Sequence, residues 1–142
     1  MEVSDVRRRL RAAIDAARRA AQERRTRSDL AARDYEQFLR ERAVPVVHTL
    51  ASALVADGYR FTVHTPADGV RLASESRPDD FIELFLDTSA DPPVVSGRIN
   101  RGRGRRLITA ERPLKEAGAV ADLTEEDVLA FLLSEIAPFV ER

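Results

Sequence analysis

The sequence predicts an α+β protein: an antiparallel meander sheet of about five strands, preceded by a long N-terminal helix and a second helix, and closed by a C-terminal helix. Three observations carry this. Residues 4–42 contain neither Gly nor Pro and are rich in Ala, Arg and Glu, all good helix formers. Residues 59–112 run as short segments of alternating apolar and polar side chains with turn residues between them, the period of half-buried strands. Residues 124–137 open on Thr-Glu-Glu-Asp and then carry a broad apolar face, a capped helix.

The first helix is expected from Ser4, as N-cap with Asp5 in the first turn, to Arg42. That is a length of ~58 Å at 1.5 Å per residue. Thr26-Arg27-Ser28-Asp29 gathers cap-type residues and marks a site for a break. Val3, Val6, Leu10, Ala13, Ala17 and Ala20 follow a heptad seam, with Ile14 and Ala21 beside it, the pattern of a coiled coil. Arg24 and Arg27 take the next seam positions and end it. Asp5 precedes Arg8 and Arg9, and Glu23 precedes Arg27, in the order that suits i,i+3 and i,i+4 ion pairs.

Tyr35, Phe38 and Leu39 begin an apolar stripe that continues through Val46, Val47, Leu50, Ala51, Leu54 and Val55. A second helix is therefore expected over 45–57. Pro45, lacking an N–H, should kink or restart the helix, and Gly58 ends it. Division of the chain into a helical segment, 1–42, and an α+β domain, 43–142, follows.

Among the strands, Tyr59, Phe61 and Val63 alternate with Arg60, Thr62 and His64, and Val70 and Leu72 flank Arg71. Asp68-Gly69 between these runs is a hairpin signal, read as glycine supplying a positive φ. The third strand, 81–87, has Ile82, Leu84 and Leu86 on one face and Phe81, Glu83, Phe85 and Asp87 on the other. Apolar groups on both faces suggest a central strand. Its carboxylates could pair with arginines on adjacent strands. The fourth, 94–101, follows Asp91-Pro92-Pro93, and Gly102-Arg103-Gly104 is the expected turn into the fifth, 105–112. In the last helix Thr124 is the N-cap and Asp127 its reciprocal partner. Val128, Leu129, Leu132, Leu133, Ile136 and Val140 form the face, Phe131 widens it, and Pro138 should end or kink the helix.

A chain of 142 residues fits one domain and can bury roughly 68–70% of its unfolded surface without a disulfide or metal. It has no Cys, which removes thiolate ligands and nucleophiles. No apolar run approaches membrane-spanning length, and the Arg-rich first 30 residues lack the apolar core of a secretory signal. A cytoplasmic location is the expectation. Residues 1–42 carry 12 Arg against 8 acids, while 43–142 carry 11 basic against 16 acidic groups. That asymmetry suggests an interaction arm, although a general preference for Arg, 22 against a single Lys, makes each arginine less informative.

Nothing in the sequence assembles a catalytic constellation. His48 and His64 lack metal-ligand spacing, and Asp79, Asp80, Glu83 and Asp87 have no nucleophile or phosphate loop beside them. No catalytic residue, metal ligand or cofactor is expected. Two surfaces stand out. The seam of Val3, Val6, Leu10, Ala13, Ile14 and Ala17 is the expected interface, for a homodimer or a partner protein. It should recruit further surface from Tyr35, Phe38 or the sheet. Arg98, Arg101, Arg103, Arg105 and Arg106, interleaved with Gly102 and Gly104, are the alternative: a hairpin end that binds nucleic acid or another anion, against the plainer role of charges that deter edge-to-edge pairing.

Overall fold

The computed structural model describes residues 1–141. Helix α1 (Val3–Phe38) passes through a π-helical turn (Leu39–Ala43) into α2 (Val44–Ala56), so one rod runs from residue 3 to residue 56. Five strands follow: β1 (Phe61–His64), β2 (Gly69–Ser74), β3 (Phe81–Asp87), β4 (Val94–Arg103) and β5 (Arg106–Pro113). They form one antiparallel sheet in the order β1-β2-β3-β4-β5, with β3 at the centre. A 3-10 turn (Val120–Asp122) leads to α3 (Glu125–Val140).

The rod departs from the expected helices in two places. Its N-cap is Glu2, with Ser4 inside the helix. The expected break at 26–29 is absent, because the Thr26 hydroxyl donates to the Gln22 carbonyl four residues back, an interior bond rather than a cap. Pro45 takes the second position of α2, where the α-helix resumes after the π turn. The Val44 N–H bonds the Leu39 carbonyl five residues back, and this wider turn absorbs the proline with the rod unbroken. Gly58 ends α2 as expected, at φ 93°. Its N–H bonds Val55 O at 3.0 Å and the Tyr59 N–H bonds Leu54 O at 2.8 Å, the paired bonds of a Schellman motif.

Helices α2 and α3 cover one face of the sheet. Val47 and Ala51 from α2, and Val128, Phe131, Leu132 and Phe139 from α3, share a core with Phe61, Val70, Leu72, Ile82, Leu84, Val95 and Ile99. Phe131 is in this core while Leu133 is exposed, so the buried arc of α3 is rotated from the expected face. α3 also runs through Pro138 to Val140, since a proline in the last turn forgoes few helical bonds. Its start is the capping box expected: the Asp127 N–H donates to Thr124 Oγ1 at 3.1 Å and the Thr124 N–H to Asp127 Oδ2 at 3.0 Å. Buried Leu123 and Val128 flank it as a hydrophobic staple.

The second face of the sheet carries a ladder of alternating charge. Register sets Arg71, Glu83, Arg98 and Glu111 side by side across four strands. Arg71 and Arg98 each reach the Glu83 carboxylate at 3.2 Å, and Arg98 bonds Glu111 at 3.1 Å. The two guanidiniums also lie over Phe81 and Phe85, 4.0 and 4.5 Å from the ring centroids. Opposite charges directly across strands are stabilising, and stacked arginines screen the rings from water. This covers the second side of β3 without a helix.

Candidate functional site

Where α1 leaves the domain is set by a few contacts. Ala31, Tyr35 and Phe38 are buried, Phe38 completely. The Tyr35 hydroxyl donates to Asp68 O at 2.5 Å in the β1–β2 loop, and burial, followed by the Asp68 charge, pushes its pKa well up. Arg27 reaches Asp91 in the β3–β4 loop through two bonds, 3.1 and 3.0 Å. The hydrogen bond from Arg27 holds the Asp91 carboxyl below its ordinary range. Tyr35 and Phe38 are thus spent on the protein's own core and cannot extend an interface, contrary to expectation. The Arg27–Asp91 pair spans 64 residues, and nothing local in the sequence signals it; Glu23 was the expected partner.

Residues 1–26 are exposed apart from partial cover at Asp5 and Ala21. Val3, Val6, Leu10 and Ile14 are 68%, 43%, 58% and 41% exposed, and Ala13 and Ala17 are exposed with them. All six lie on one continuous helix. Asp5 pairs with both Arg8 and Arg9, as expected of the first turns. The exposed stretch stays helical for two reasons. Its residues favour helix, and the anchored half from Ala31 onward removes the cost of nucleation.

The arginine cluster divides. Arg98 lies in the ladder on the second face, committed to Glu83 and Glu111. Arg101 and Arg103 point to the other face by strand alternation, and Arg103 is directly opposite Arg106. The tight turn is Gly104-Arg105, later than expected, with Gly104 at φ 62°, as a two-residue II′ hairpin requires. Gly102 belongs to β4, and its N–H donates to Asp80 Oδ1 at 2.7 Å. A cleft of about 570 Å³ beside this bond is lined by Arg77, Asp79, Asp80, Arg105 and Arg106. The Gly102 N–H expected to help hold an anion is therefore engaged by a carboxylate.

The remaining candidates do not converge. Glu83 is in the ladder, His64 accompanies Thr62, and His48 lies on the exposed side of α2. Among the described residues no group of three or more His, Asp or Glu could hold a metal ion, and no helix is long and apolar enough to cross a membrane. A groove of about 750 Å³ between α1 and the β1–β2 loop is lined by Arg33, Tyr35, Glu36, Leu39, Phe85 and Leu86. Scans against protein-family models, curated proteins and solved structures find no match.

Proposed function

We propose that the protein is a non-enzymatic interaction or adaptor module that associates through residues 3–27, most simply as a homodimer. One observation carries the reading: four large apolar side chains, Val3, Val6, Leu10 and Ile14, exposed along a helix that the rest of the chain leaves uncovered. A polar helix of this length with an apolar strip gains by burying the strip against another helix. Leu10→Asp tests it. The substitution sets a charge in the seam, which is costly once buried, but should leave the single chain folded because Leu10 is 58% exposed and outside the core. Light scattering should then show a shift from dimer to monomer at an unchanged urea midpoint. A wild-type protein that is monomeric across a broad concentration range would refute the homodimer.

A second reading is favoured by Arg103 and Arg106, like charges set directly across β4 and β5. Opposed like charges are unfavourable alone and are relieved by a bridging anion. Arg103→Ala with Arg106→Ala should then weaken binding of a nucleic-acid duplex, and wild-type affinity should fall steeply with salt. A mobility-shift series at two salt concentrations checks this; absent or salt-insensitive binding rules it out.

A further inference from the structure

The projecting helix continues the face that docks on the domain. At roughly 100° per residue, Val3, Val6, Leu10, Ala13 and Ala17 point within about 40° of the direction of Tyr35, which is buried in the core. A helix laid along that strip therefore approaches from the side on which the domain itself lies beyond residue 27. A parallel partner would have to continue through the space filled by the partners of Ala31, Tyr35 and Phe38. An antiparallel partner runs out along the strip and meets no such obstruction.

Side-chain size and charge select the same arrangement. The seam alternates Val3, Leu10, Ala17 and Arg24 with Val6, Ala13, Ala20 and Arg27. Aligned in parallel, two copies set Arg24 against Arg24 and Arg27 against Arg27, and the flanking positions match charge only in the first turn, Glu2 to Arg7, while Arg9 comes to Ile14 and Glu23 to Ser28. Aligned antiparallel about Asp15, the layers become Leu10 on Ala20 and Ala13 on Ala17. Large side chains then face small ones, which lets the helices close. Ile14 meets Ile14 and Ala16 meets Ala16 across the two-fold axis, an isologous contact. Arg9 of one copy falls opposite Glu23 of the other, twice. Arg24 and Arg27, which end the strip, come level with Val6 and Val3 near Glu2 and Asp5. The Val3–Arg27 layer is also the last before the domain, where Arg27 is held by Asp91.

We infer that the partner is a second copy of this chain, laid antiparallel over residues 3–27 with its two-fold axis at Asp15. The inference rests on the homodimer proposed above and adds its orientation and register. The two domains then sit at opposite ends of a shared helical pair about 37 Å long, 25 residues at 1.5 Å each.

Spin-label distances test it. The chain has no Cys, so Arg8→Cys, Asp15→Cys and Gln22→Cys each carry one label, all on the side of the helix away from the seam. The antiparallel register gives the shortest interlabel distance at residue 15. Residues 8 and 22 give longer, mutually equal distances, because their labels are offset along the axis by about 21 Å, 14 residues of rise. Equal distances at all three positions would establish a parallel pair and overturn the inference while leaving the dimer intact. No dipolar coupling at any position, in samples that light scattering finds monomeric, would overturn both. A charge exchange adds an independent arm. Arg9→Glu or Glu23→Arg alone should weaken the dimer and the double exchange restore it; failure of the double exchange to restore it counts against this register.

Discussion

Gly97 decides how closely the C-terminal helix approaches the sheet. A Cβ built on it would lie 2.3 Å from Cζ of Phe131, a ring already buried in the core. Gly69 is the counterpart on β2: its Cβ would fall 2.5 Å from the Leu84 carbonyl oxygen. The hairpin expected at Asp68-Gly69 is present, but glycine is needed there for a different cause. Gly69 does not have a positive φ; it is small because a neighbouring backbone is close. Such a requirement is set by a residue 15 positions away in the chain and leaves no local signature. Gly97→Ala should overpack the α3 contact and cost about 1–3 kcal/mol, read as a lower urea midpoint at unchanged slope. Phe131→Leu in the same chain should recover part of it by withdrawing the ring. An unchanged midpoint in Gly97→Ala would mean that the ring is free to move aside.

At the scale of elements, legibility follows how local the determining physics is. The α3 start was legible because Thr124 and Asp127 satisfy each other within one turn. β3 was legible as the central strand because its two faces, Ile82-Leu84-Leu86 and Phe81-Glu83-Phe85, are both partly apolar. The break expected at 26–29 was not real, because a cap-type hydroxyl can bond back into a helix; the restart at Pro45 is present, reached through a wider turn rather than a gap. The capping box also predicts a pH response. Hydrogen bonding from the Thr124 N–H holds the Asp127 carboxyl below its ordinary value, about 4. The unfolded chain therefore takes up this proton first on acidification. The stabilisation is complete above the unfolded value and is lost as pH falls through the folded one, from about pH 5 downward. Asp127→Asn removes that titration, so its urea midpoint should fall less than that of the wild type over the same range. Parallel curves would show that the cap does not depend on the charge.

For the whole molecule, the order of elements and the antiparallel meander were visible from periodicity and turns, because neighbouring strands pair in sequence order. That residues 4–38 form a long helix was also visible. That Tyr35 and Phe38 belong to the core rather than to the seam was not, since helix periodicity alone cannot tell which part of a long stripe the sheet will cover. Pairing of the β3 carboxylates with arginines on adjacent strands was expected and holds for Glu83; the full row of four charges depends on register across four strands and was not visible. The π turn has a mechanical consequence. Helical structure is continuous from Val3 to Ala56, so the helix is a lever with its fulcrum at the loop end of the sheet, where Arg27 grips Asp91 and Tyr35 grips Asp68. Measured from Arg27, the outer arm to Val3 is about 36 Å and the inner arm to Val47 about 30 Å, from 24 and 20 residues of 1.5 Å rise. A sideways load at the tip is thus delivered, with little change in force, to Val47 and Ala51 in the core.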